Sequence, residues 1–118
     1  MTKILIVDDE KEICSRLKHY FTAAGYQVFT AGRTAEALGV IRAESPEVVL
    51  LDVPEKGSSL ELLQHAGSET QVILVAADAD NEKVRRALIS GAAGCVAKPY
   101  TMDDLEDAVR RQTGCIAA

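Results

Sequence analysis

The chain has no tryptophan, few aromatic residues of any kind, and no apolar run approaching the length of a membrane span. No secretion signal is read at the N-terminus, where Met1-Thr2-Lys3 leads directly into a strand pattern, so a cytoplasmic protein without membrane contact is expected. Cysteines number three, Cys14, Cys95 and Cys115, an odd count with no Cys-x-x-Cys pair, which suggests neither a disulfide framework nor a zinc site. They are read as reduced, mostly packed thiols. The two histidines, His19 and His65, lack partners at ligand spacing and are read as helix-surface residues. Excess positive charge is absent too: the formal net charge is -5, so nucleic acid has no general attraction to this surface. No Gly-x-x-x-x-Gly-Lys-Ser/Thr loop exists to cradle a nucleotide.

What is present fits one domain, residues 1–118, large enough for a real core but without room for a second globular unit. Apolar runs of strand length alternate with helical periodicity. Strands are predicted at Lys3 to Asp8, Gln27 to Ala31, Glu47 to Asp52, Gln71 to Ala76 and Gly94 to Ala97. Ile13, Leu17, Tyr20, Phe21 and Ala24 make the apolar face of a first helix that Gly25 stops. Ser58-Ser59-Leu60-Glu61 reads as a capping box opening the third helix near Gly57. Val84, Ala87, Leu88 and Gly91 face the core from the fourth helix, and Leu105, Ala108 and Val109 from the fifth, with Thr101 as its N-cap. Five βα repeats with right-handed crossovers predict an α/β fold built on an open, doubly wound parallel sheet.

Three of the strands end on charge. Ile4 to Val7 runs into Asp8 and Asp9, Val48 to Leu51 into Asp52, and Cys95 to Ala97 into Lys98 and Pro99. Singly, each aspartate reads as a turn residue. Together at one sheet edge they do not, because two carboxylates about 5 Å apart repel by roughly 3 kcal/mol at an effective dielectric of 20. A hard divalent cation with oxygen ligands would relieve the cluster, and magnesium suits a few carboxylates plus waters.

Ile4-Leu5-Ile6-Val7-Asp8-Asp9-Glu10, Glu36-Ala37-Leu38, Val49-Leu50-Leu51-Asp52, Gly91-Ala92 and Lys98-Pro99 together resemble the receiver domain of bacterial two-component response regulators, over essentially the whole chain. The resemblance implies a flavodoxin-like (βα)5 fold with strand order 2-1-3-4-5. It implies that Asp52 accepts a phosphoryl group from a histidine kinase or phosphotransfer protein, and that Lys98 pairs with the phosphoryl oxygens. Mg2+ would be held by Asp8, Asp9, Asp52 and the backbone carbonyl of Pro54, and the bond before Pro99 would be cis. Such a protein is no enzyme beyond its own phosphotransfer and dephosphorylation, and it signals to a downstream protein or output domain.

The chain departs from the family's pattern where the signal is read out. Ala76 stands where a serine or threonine hydroxyl is usual, and Cys95 where an aromatic is usual. The loop Val53-Pro54-Glu55-Lys56-Gly57-Ser58 is one residue short, and Pro54 lacks an amide hydrogen. These departures favour an alternative, a degenerate pseudo-receiver acting as a phosphorylation-independent interaction module. Asp78, Glu55 and Lys56 read as solvated loop residues.

Two neighbouring enzyme classes fit poorly. A flavin phosphate would be repelled by Asp8-Asp9-Glu10, and a haloacid-dehalogenase-type phosphatase would need an aspartate where Pro54 sits. A partner surface is suggested by Lys83, Arg85 and Arg86 on the fourth helix against Asp103, Asp104, Glu106 and Asp107 on the fifth. That complementarity suits a weak homodimer through the two helices.

Overall fold

The computed structural model describes residues 1–53, 60–67, 69–78 and 80–113, with only the backbone of Leu60 and Thr113. Strands β1 (Lys3–Val7), β2 (Gln27–Ala31), β3 (Val48–Asp52), β4 (Gln71–Ala76) and β5 (Gly94–Ala97) alternate with five helices. These are α1 (Lys11–Ala23), α2 (Thr34–Glu44), α3 (Leu60–His65), α4 (Glu82–Ile89) and α5 (Met102–Thr113). All strand pairs are parallel, in the order β2-β1-β3-β4-β5. The chain leaves β1 toward one edge and returns to its other side at β3, so the strand order reverses between them.

The central strands are apolar on both faces because helices cover both. Leu5, Val7, Val49, Leu51, Val72 and Leu74 join one core with Ala37 and Ile41 of α2, Leu62 of α3 and Val84 and Ala87 of α4. Their alternates Ile4, Ile6, Val48, Leu50, Ile73 and Val75 join a second core with Leu17 and Phe21 of α1 and Leu105 and Val109 of α5. A register slip of one residue would exchange these faces, so the packing fixes the heights at which the strands end.

Turn chemistry trims the predicted elements. Asp8 lies outside β1, since its Oδ1 accepts a hydrogen bond from Glu10 N at 2.9 Å and turns the chain toward α1. Glu47 likewise precedes β3. Gly25, at φ 100°, ends α1 and lets Tyr26 N reach Phe21 O at 3.0 Å. Three expected core residues are exposed: Ala24 is the C-cap of α1, Leu88 is 40 % exposed, and Gly91 lies past the end of α4 at φ 118°. Cys14 occupies the buried stripe of α1.

Thr101 caps α5 as predicted. Its Oγ1 accepts from Asp104 N while Asp104 Oδ2 accepts from Thr101 N, both at 3.1 Å. The capping box proposed at Ser58 and Ser59 lies outside the described residues. Asn81 caps α4, accepting from Lys83 N at 2.7 Å. No described helix is long and apolar enough to cross a membrane.

Candidate functional site

The carboxyl ends of β1, β3 and β5 deliver Asp8, Asp52 and Lys98 to the edge where strand order reverses. Lys98 Nζ donates to Asp52 Oδ1. Its backbone is anchored as well, Lys98 N donating to Ala76 O at 2.8 Å. The Lys98–Pro99 peptide is cis. Burial disfavours the ammonium, yet the hydrogen bond and charge of Asp52, with the charge of Asp8, outweigh it and hold Lys98 above the usual lysine range.

Asp8 is the one charged residue among the described buried set, at 7 % exposure. Burial pushes its carboxyl up, and the charges of Asp52 and Asp9 add to the push, against the Glu10 amide and Lys98. Carboxylate oxygens of Asp8, Asp9 and Glu10 lie within 4.8 Å of one another. Asp52, assigned to the metal from sequence, stands outside that group and is engaged by Lys98. Glu10 is the third member of the trio, because the Asp8 turn brings the residue two places on back toward the same edge. Pro54 lies outside the described residues.

An all-oxygen donor set with one buried, charge-stressed carboxylate fits a hard cation such as Mg2+. Bound there, such an ion would offset the negative charge around Asp52.

Other residues at this edge were given no site role in the sequence. Cys14 Sγ donates to Asp8 O at 3.2 Å, and burial, then the charge of Asp8, push its thiol up. Tyr100 follows Pro99 and shares a small void with Asp8 and Asp52. Burial raises its phenol, Lys98 opposes, and Asp8 and Asp52 add to the rise. Only its adjacency to Lys98-Pro99 could have signalled this. Glu36 Oε1 accepts from Gly32 N at 2.6 Å, fixing the turn before α2.

Ala76 and Cys95 lie on the two strands β4 and β5. Ala76, 3 % exposed, ends β4 and pairs in register with Ala97. Cys95 pairs with Leu74 and is partly exposed, its thiol pushed up by burial. Asp78, His19 and His65 are exposed.

The sequence matches the response regulator receiver domain family over residues 4–110. The chain belongs to that family. Sporulation initiation phosphotransferase F of Bacillus subtilis is 34% identical over 113 residues, 92% of this chain and 91% of that protein. Transcriptional regulatory protein KdpE of Mycobacterium tuberculosis is 37% identical over 121 residues, 96% of this chain but 53% of that protein. This receiver domain thus spans nearly all of the first relative and about half the length of the second.

Solved structures agree on the fold. A response regulator receiver domain protein from Clostridium thermocellum superposes with TM-score 0.87 at 27% identity, covering 99% of this chain and 98% of that one. A CheY-like receiver domain protein from Methanospirillum hungatei JF-1 gives 0.85 at 29%, covering 95% and 93%. The receiver domain has the flavodoxin-like architecture and serves two-component signalling.

Proposed function

We propose that this receiver domain takes a phosphoryl group onto Asp52 from a phosphohistidine of a histidine kinase or phosphotransfer protein. The pairing of Asp52 with Lys98 beside the Asp8, Asp9 and Glu10 carboxylates carries this reading. A carboxylate oxygen of Asp52 attacks phosphorus, the P–N bond breaks, and its electron pair returns to the imidazole, which takes up a proton. Lys98 exchanges its contact with Asp52 for one with a phosphoryl oxygen, meeting charge that would otherwise repel the attacking anion. Asp8 and Asp9, with Glu10 or Asp52, would hold Mg2+, which supplies charge neutralisation when bound. Hydrolysis of the aspartyl phosphate resets the domain, and no other substrate is turned over. The exchange is placed in the cytoplasm, where ATP charges such kinases.

Phosphorylation then biases a surface read by an output domain or a separate protein, and α4 and α5 are the helices we assign to it. A second reading is favoured by Ala76 and Cys95: with neither switch hydroxyl nor aromatic, the domain acts as an interaction module indifferent to phosphate. Incubation with acetyl phosphate and magnesium, followed by intact-protein mass measurement, separates the two. One added phosphoryl group in the wild type and none in Asp52→Asn supports transfer. No gain in either supports the second reading.

A further inference from the structure

Two cavities meet at the turn between β5 and α5. One is a void of about 10 Å3, room for about one water, lined by Asp8, Asp52, Leu17 and Tyr100 and by apolar side chains of β1, β3 and β4. The other is a groove of about 410 Å3 between α1 and that turn, lined by Leu17 and Tyr100 together with Arg16, Lys98, Pro99 and Met102. Arg16 and Pro99 are exposed, so the groove is open to solvent. Among the described residues Leu17 and Tyr100 alone line both, and their side chains form the wall between the acceptor and the groove.

The wall is held firmly. Leu17 is 4 % exposed on α1, within the second core. Tyr100 is partly buried against the same core and sits between two backbone anchors, Lys98 N on Ala76 O and the capping pair of Thr101 with Asp104. Its hydroxyl makes no hydrogen bond with a described residue, so packing of the ring, rather than the phenol oxygen, keeps it in place. Polar cavities with room for water are filled by it, and the carboxylates of Asp8 and Asp52 would draw water into any larger space beside them. The ring keeps that space small.

We propose that the Tyr100 ring sets the lifetime of the phosphoryl group on Asp52 by walling the acceptor off from the water of the groove. The role rests on Asp52 being the acceptor. In hydrolysis a water oxygen attacks phosphorus, the bond from phosphorus to the Asp52 oxygen breaks, and its electron pair returns to the carboxylate. Both water hydrogens leave on the inorganic phosphate. Tyr100 takes no part in these bond changes: it is a positioning residue that acts through the space water can occupy, with Leu17 as the other half of the wall.

For the test, wild type, Tyr100→Phe, Tyr100→Leu and Tyr100→Ala are phosphorylated with acetyl phosphate and magnesium, exchanged into donor-free buffer and followed by intact-protein mass. Tyr100→Phe should keep the wild-type lifetime, whereas Tyr100→Ala should shorten it at least about threefold, and Tyr100→Leu by less. If Tyr100→Ala does not fold, Tyr100→Leu carries the comparison. Added p-cresol, which matches the missing side chain, should lengthen the lifetime in Tyr100→Ala and leave the wild type unchanged, a rescue that general loosening of the fold would not show. Wild-type lifetimes in the folded Leu and Ala variants, a shortened lifetime in Tyr100→Phe, or no effect of p-cresol on folded Tyr100→Ala would each overturn the proposal while leaving Asp52 as acceptor. A wild type that gains no phosphoryl group would overturn the acceptor reading and this role together.

Discussion

Lys98 and Asp52 meet although they come from strands that are not neighbours: β4 lies between β3 and β5, and Lys98 Nζ crosses the end of it to donate to Asp52 Oδ1. Ala76, the last residue of β4, has a side chain too short to stand between them, and its carbonyl accepts the Lys98 amide at 2.8 Å. The ammonium is therefore held against the Asp52 carboxylate.

Lys98→Ala should slow phosphorylation of Asp52 by acetyl phosphate roughly ten- to a hundredfold, the equivalent of losing a charged hydrogen bond of about 1.5 to 3 kcal/mol. Magnesium affinity should hold or rise, because a competing cation has left. Rates from intact mass and affinities from calorimetry check both. Loss of magnesium binding together with phosphorylation would point instead to a collapsed site.

Asp8 gives the second prediction. Its buried carboxyl is stressed by desolvation and by Asp52 and Asp9, so removing its charge should help the metal-free fold. Asp8→Asn keeps an oxygen for the Glu10 amide and should raise the metal-free melting temperature by a few degrees, equivalent to about 1 kcal/mol. Magnesium should then stabilise the wild type but not the variant. A lower midpoint for the variant in metal-free buffer would contradict this account of Asp8.

Strand positions and the acid edge were legible because their signals are local: a fully apolar strand stopped by aspartate states both its burial and its end. Glu10 was not, since its approach to Asp8 and Asp9 depends on a turn geometry that residue types alone do not dictate. Burial on helices was legible only in part. Leu88 fits the apolar period of α4, yet the helix stops at Ile89 and the side chain stays 40 % exposed. Ion pairing was similarly hidden: the Arg86 charge read as available from sequence is met by Glu82 at 3.0 Å, one turn earlier.

Ala76 and Cys95 set the third prediction. A ligand shifts a conformational equilibrium only through its differential affinity for the two states, and allosteric couplings run about 1 to 3 kcal/mol. A missing hydroxyl contact removes roughly 1 kcal/mol or more of that. Beryllofluoride should shift amides at Asp8, Asp52 and Lys98 while those of α4 and β5 move little. Ala76→Ser should enlarge the response in α4. Large wild-type shifts across α4 would refute the argument.

Tyr20 sets the fourth. Its hydroxyl donates to Glu106 Oε1 at 2.8 Å, tying α1 to α5, and that hydrogen bond, with burial and the charges of Glu106 and Asp103, pushes the phenol up to about 12 from 10. The folded state retains a proton that the unfolded state releases. The Tyr20 contribution is therefore complete below pH 10 and is lost as pH rises through about 12. Denaturation midpoints of wild type and Tyr20→Phe should differ by a constant amount up to pH 10 and converge above it. A difference unchanged at the alkaline end would show that the hydrogen bond does not set the shift.

The fifth prediction concerns self-association through α4 and α5. Charge alone is thinner there than the sequence suggested, with Arg86 paired to Glu82 and Glu106 engaged by Tyr20 and Arg110. Arg85 on α4 and Asp103 and Asp107 on α5 remain exposed, and exposed pairs contribute only about 0 to 1 kcal/mol each. Beside Arg85 stand Leu88 and Ile89, the latter 86 % exposed, and burying such a side chain is worth about 1.5 to 3 kcal/mol. Affinity should therefore rest on the apolar pair, and orientation and salt sensitivity on Arg85. In sedimentation across a salt series, Ile89→Glu should abolish a weak dimer at every salt concentration. Arg85→Glu should weaken it mainly at low salt, where the charges are least screened. Monomeric wild type throughout would remove the homodimer and leave this face to a different protein.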